Sequence, residues 1–235
     1  MGAVYRKELR SSFTGMTGAL FVAVIICVIS VFAYNYNLYY GVGNFEFALI
    51  SGSFWSLLIV PVLTMKLFSE ERHSKTDQLL YSLPLTGTQV VLGKYFAMVT
   101  VFAVPSALFC LYPVIISMFY DGKMPFMTSY AGILTYFLLG CAVIAICMFI
   151  SSLSESQLIT AIISIVVLVL LYVIGSLASS LTGVLGAVVS SICLFQRMYD
   201  ASHGYVDVPC LIYYTSAAAL FVFFTVQSFE KRRWS

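Results

Sequence analysis

Residues 87–94, GTQVVLGK, end in the Gly-Lys pair that phosphate-binding loops use, so nucleotide chemistry is the first question the chain raises. The spacing rules it out. A P-loop keeps four residues between its glycines and a Ser or Thr after the Lys, so that backbone amides cradle phosphate and the hydroxyl meets Mg. Here five residues separate Gly87 from Gly93, and Tyr95 follows Lys94. No strand pattern precedes the stretch, so no strand-to-helix turn would aim amides at a phosphate. Lys94 reads instead as an interface lysine that snorkels toward water. His73 and His203 are far apart and fall on opposite predicted sides, which removes a metal pair and a nucleophile–base arrangement. Cys27, Cys110, Cys141 and Cys147 lie in apolar segments without metal spacing. Cys193 and Cys210 share one outer loop, where pairing is left open. Asp200, His203 and Asp207 read as a solvated polar loop rather than a ligand set. The chain is therefore expected to have no catalytic residue, to bind no metal or cofactor directly, and to have no nucleic-acid partner.

What remains is where the charge sits. Only 9% of the 235 residues are charged, 61% are hydrophobic, and the mean hydropathy is +0.98, a composition that fits burial in lipid and excludes a water-soluble domain. A bilayer core of about 30 Å needs roughly 20 apolar helical residues. Six charge-free windows meet that length: Thr17–Tyr36, Phe47–Met65, Phe96–Phe119, Tyr130–Ile150, Leu158–Leu177 and Leu211–Phe229. Windows this long and continuous are helices rather than barrel strands. With both termini cytoplasmic, ten of the 12 Lys and Arg lie inside and only Lys123 and Arg197 outside, which sets the orientation. Residues 180–195, SLTGVLGAVVSSICLF, are too short and weakly apolar to span, and counting them would export the 231–233 KRR cluster. They are expected to form an outer re-entrant or surface helix.

The first span shows no small-residue cleavage site and leads into YNYNLYY, suited to the outer membrane interface. Before it, Tyr5, Leu9, Phe13 and Met16 share one helical face and Arg6, Lys7 and Arg10 another, so residues 1–16 predict an amphipathic interface helix. The expected fold is an all-α polytopic membrane protein, a single transmembrane domain over 1–235. It has six transmembrane helices, the interface helix, a cytoplasmic coupling loop over 66–94 and an outer loop over 176–210. Within residues 69–94, SEERHSKTDQLLYSLPLTGTQVVLGK, Ser74 and Asp77 form a capping-box pattern and Pro84 ends the helix it starts. Thr86 and Gln89 repeat the pattern and start a helix that runs through Gly93 and Lys94 into span three.

These residues carry a resemblance. Phe68, Glu70, Glu71, Arg72, Thr76, Leu79, Leu80, Pro84, Val91, Gly93 and Lys94 match the first cytoplasmic loop of the permease subunits of type-2 ABC transporters, in the gliding-motility and nitrous-oxide-reductase-maturation group. Lys75 and Gln78 depart from it, standing where the family usually has Gly and Glu. MFISSLSESQLITAIIS at 148–164 and VDVPCLIYYTSAAALFVFFTVQSFEKRRW at 206–234 are similar to two further family segments.

The resemblance implies a subunit without catalysis of its own, in the cytoplasmic membrane of a bacterium or archaeon, surrounded by lipid. ATP and Mg would be held by a separate ABC ATPase, in two copies. A second permease copy or a related permease would complete a twelve-helix pathway, with an auxiliary envelope protein as a further partner. Glu70, Glu71, Arg72, Thr76, Asp77 and Leu80 would couple to the ATPase, and Ser154 and Glu155, within Ser151–Gln157, would form a smaller second contact. Gly175, Gly183 and Gly186 suit an outer closure of the path, and Phe54, Trp55 and Tyr172 are the candidates to line it. Charge-free spans weigh against an ion-coupled carrier. Two outcomes stay open: an exporter, or a membrane subunit that transmits ATP-driven motion to an envelope partner without carrying a substrate.

Overall fold

The computed structural model describes residues 1–73, 86–119, 125–178, 193–200 and 208–233, and every regular element among them is helical. The first helix, α1 (Gly2–Thr14), is followed by α2 (Thr17–Ala33), which ends in a π-helical turn over Tyr34–Tyr39. Next come α3 (Phe45–Leu57), α4 (Val60–Thr64) and α5 (Lys66–His73). Then follow α6 (Gly87–Phe109), α7 (Tyr112–Ser117), α8 (Phe126–Leu153) and α9 (Gln157–Ala178). The short α10 (Leu194–Asp200) and the long α11 (Val208–Arg233) complete the set. Among the described residues, five helical stretches are long and apolar enough to cross a membrane: Thr17–Tyr39, Gly87–Ser117, Phe126–Leu153, Gln157–Leu177 and Val208–Lys231. A sixth crossing is available if α3 and the helix over Val60–Ser69 count as one span, bent by 43°. That bend falls where Pro61 occupies the first turn of α4 and cannot donate back to the preceding turn. Pro105 sits inside α6 without breaking it, so proline alone does not decide where a helix bends.

A helix, α1, forms within the residues expected to make the interface helix, and the corner after it has a local cause. Met16 takes a left-handed conformation (φ 61°), and Gly18 lies so close to α1 that a Cβ there would sit 2.8 Å from the Ser12 carbonyl oxygen. Only the N-terminal part of the expected apolar face is covered. Tyr5 and Leu9 pack on the core, while Phe13 and Met16 are exposed.

The core is organised around α8, which touches every described helix from α3 onward. Its most apolar stretch is 78% buried, against 22–39% for the other four single-helix crossings. Close approach explains this. Gly140 faces Phe102 of α6 so tightly that a Cβ would lie 2.1 Å from the ring, and the Phe102 ring stacks on Phe137 at 6.1 Å. Tyr136, fully buried, shares a hydrogen bond of 2.8 Å with Ser56 of α3, which ties span two to span four inside the apolar layer.

Candidate coupling site

One end of the bundle gathers α1, the start of α5, the start of α6, the last turn of α8 and the last turns of α11; we call it the proximal end. Gly93 is the contact point for α1. A Cβ there would lie 3.3 Å from the Met1 carbonyl oxygen and 3.3 Å from the Val4 side chain, so the first turn of α1 rests on bare backbone. One residue on, Lys94 is buried rather than snorkelling, with 1% of its side chain exposed. Its Nζ lies 3.5 Å from Glu8 Oε1 of α1, donates to the Leu67 carbonyl of α5, and stands 4.8 Å from the centre of the Phe68 ring. The expectation of an interface lysine is thereby corrected. A buried ammonium needs an anion and acceptors, and α1 and α5 supply them where water was expected. Two turns further along α6, Thr100 Oγ1 shares a hydrogen bond of 3.0 Å with the Tyr5 hydroxyl, a second tie to the same helix.

The start of α5 is also held from α8. Ser151 Oγ accepts from the Phe68 amide at 3.4 Å and donates to the Met65 carbonyl at 3.4 Å, so it meets an amide that the start of α5 leaves open and the carbonyl at the end of α4. The Phe68 ring meets Phe229 of α11 at 6.1 Å. Gly87, at the start of α6, packs against Phe229 and Glu230, with 3.0 Å from a Cβ position to the Glu230 side chain.

The predicted coupling residues divide by place. Glu70, Glu71 and Arg72 lie on α5, directly after its pinned first turn, and their side chains are outside the described structure. Thr76, Asp77 and Leu80, with the Ser74 cap and the helix stop at Pro84, fall in 74–85, outside the described residues. Ser154 and Glu155 occupy the turn between α8 and α9. Ser154 Oγ accepts from the Ser156 amide and donates to the Ser156 carbonyl, each at 3.3 Å, and Glu155 is exposed. The same stretch of chain contributes Ser151 to α5, so the 151–157 stretch and the start of α5 lie at the same end. At Thr86 the helix start is in place, but no side-chain cap forms; its hydroxyl lies 3.0 Å from that of Thr88.

Sequence reasoning did not name Glu8, although a signal existed. Glu8 is the sole carboxylate in the first 45 residues, and Val4, Glu8 and Ser12 recur at helical spacing on the face turned to α6 and α2.

Toward the other end, Phe54, Trp55 and Tyr172 do come together. Phe54 stacks on Tyr172 with centroids 4.0 Å apart and meets Trp55 at 5.6 Å. Phe195 of α10 joins edge-on, 5.8 Å from Phe54 and 5.7 Å from Tyr172. Trp55 remains 57% exposed, so the cluster has an open side. Nearby, no disulfide joins Cys193 to Cys210. Both are buried, and Cys210 Sγ instead lies 3.7 Å from the Arg197 carbonyl. Burial pushes the Cys193 thiol above its ordinary value. Residues 179–192, most of the expected re-entrant element, lie outside the described residues, as do His203 and Asp207. Among the described residues, no group of three or more His, Cys, Asp or Glu is placed to hold a metal ion.

The sequence matches the family described as ABC-2 family transporter protein over residues 19–228, from the start of α2 almost to the end of α11. No curated protein matches the chain. The match takes in the apolar helices, the pinned α5 and the glycine-lysine contact on α6, and leaves α1 outside. With its multiple apolar helices and this match over most of its length, the chain belongs to the ABC-2 transporter family, as a multi-pass membrane component of an ABC transporter.

Proposed function

We propose that this chain is the permease subunit of an ATP-driven exporter, and that the proximal end is where it receives motion from a separate ABC ATPase. The observation that carries the proposal is the convergence there of α1, the pinned start of α5 and the Ser151–Gln157 turn, linked by buried polar contacts to α6 and α8 and by the Phe68–Phe229 ring pair to α11. A push on α1 or on the start of α5 is passed through these contacts to α6, α8 and α11. ATP and Mg belong to the ATPase, in two copies, and the permease supplies docking and transmission. Glu70, Glu71, Arg72, Thr76, Asp77 and Leu80 form the main contact in this assignment, and Ser154 and Glu155 the smaller one. The proximal end is the cytoplasmic one, since α1, α5 and the end of α11 carry Arg6, Lys7, Arg10, Lys66, Arg72, Lys231, Arg232 and Arg233. The subunit would work in the cytoplasmic membrane of a bacterium or archaeon, in the gliding-motility and nitrous-oxide-reductase-maturation group that its loop motif resembles.

A monomer of this size offers half a pathway, so a second copy or a related permease completes it, and an auxiliary envelope protein is a further partner. The cluster of Phe54, Trp55 and Tyr172 is assigned to the facing side of the path, supported by its open edge at Trp55. Copurification tests the first step: the wild type should bring down an ABC ATPase and raise its ATP hydrolysis, and reversing Glu70 and Glu71 to Lys should abolish both. Intact association and stimulation in that variant would contradict the coupling assignment. ATP-dependent uptake into inverted vesicles separates an exporter from the second reading, a mechanotransmitting subunit that carries no substrate.

A further inference from the structure

We propose that Glu8 and Lys94 form a latch that fastens α1 and the start of α5 to span three, so that the three move as one lever. The proposal deepens the coupling reading above and takes from it the claim that force arrives at α5. Its geometry stands apart from that claim. Lys94 is 1% exposed in its side chain and Glu8 14%, with 3.5 Å between Nζ and Oε1. The same Nζ donates to the Leu67 carbonyl, one residue before the Phe68 amide that Ser151 holds. A single ammonium thus bridges a carboxylate on α1 and a main-chain oxygen on α5 from a seat on α6. Gly93 lets α1 come close enough for this, because a side chain there would meet the Met1 carbonyl and Val4 at 3.3 Å.

The arrangement costs stability in general, since taking two charges out of water offsets much of their attraction, and an apolar triplet would pack the elements as well. An apolar contact would, however, let α1 and α5 slide on α6, whereas an ion pair with a directed hydrogen bond holds one register. Lys94 is in this sense a positioning residue. It touches no nucleotide or cargo in the assignment and acts by fixing how α5 is carried.

Hydrogen exchange of the full chain in lipid nanodiscs tests the latch without any ATPase. In Lys94→Met, amides of α1 and of the first turn of α5 should exchange at least about tenfold faster, while those of α8 keep their protection. Glu8→Gln should speed exchange in α1 to a smaller degree and leave α5 protected, and the exchanged pair Glu8→Lys with Lys94→Glu should recover protection of α1 but not of α5, since a carboxylate at 94 cannot donate to the Leu67 carbonyl. If Lys94→Met does not accumulate, Glu8→Gln and the exchanged pair carry the test. Unchanged protection of α1 in the single variants, or no recovery in the exchanged pair, overturns the latch. With an ABC ATPase present, Lys94→Met should leave its binding affinity within about twofold and lower its stimulated turnover about tenfold; affinity and turnover falling together would also count against it. Exchange behaving as stated while the wild type captures no ATPase would sink the coupling reading and leave the latch standing.

Discussion

Span five is the more apolar of spans four and five, with mean hydropathies of 3.0 and 2.6 over their best windows, yet α8 is 78% buried there and α9 only 22%. Water-avoidance alone therefore does not say what covers a membrane helix. The difference lies in side-chain size. Span four carries Gly132, Gly140, Ala142, Ala145 and Ser151 on a helix that neighbours approach from all sides, so contact replaces lipid. Span five turns Leu158, Ile162, Val166, Leu170 and Leu177 outward, toward lipid or a second permease.

Substitutions can break or sharpen this contrast. The largest effect is expected from Gly140→Leu. With 2.1 Å between a Cβ and Phe102, the α6–α8 crossing must open, at about 3 kcal/mol or more, and thermal unfolding in detergent should show a much lowered midpoint. Phe102→Ala in the same chain should recover part of that loss. Lys94→Met comes next, because it removes the nearer of the two cations beside the mostly buried Glu8 and leaves Lys7 at 4.0 Å, at a cost of about 2 kcal/mol by the same assay. Tyr136→Phe removes the bond to Ser56 and leaves a buried hydroxyl partly unmet, worth about 1 kcal/mol. The smallest effect belongs to α9: Ile162→Ala should move the midpoint by less than about 0.5 kcal/mol. A loss of chain–chain cross-linking in Ile162→Ala would show that protein rather than lipid covers that face.

The same contrast marks what the sequence disclosed. Helix placement was legible because apolar length and charge position are local, and α2, α8, α9 and α11 begin and end within a few residues of the windows read from composition. The helix α1 and the Thr86 start were legible for the same reason, although the cap at Thr86 makes no side-chain bond. The surroundings of Lys94 were not. Its partner Glu8 lies 86 positions away, and without the fold a lysine at the start of a span looks like every snorkelling lysine. The centrality of α8 was visible only faintly, in its small residues, because hydropathy cannot separate lipid from helix as a covering. Phe54, Trp55 and Tyr172 were chosen on span assignment alone; their stacking, like the approach of Phe195, comes from packing between distant segments that no local signal carries.

The coupling site is tested most directly by site-specific photo-cross-linking in membranes. A photoreactive residue replacing Glu71 or Glu155, at the proximal end, should form an adduct with an ABC ATPase, and one replacing Tyr39, an exposed residue at the far end of α2, should form none. Adducts from Tyr39, or none from Glu71 and Glu155 in membranes that contain the ATPase, would contradict the account.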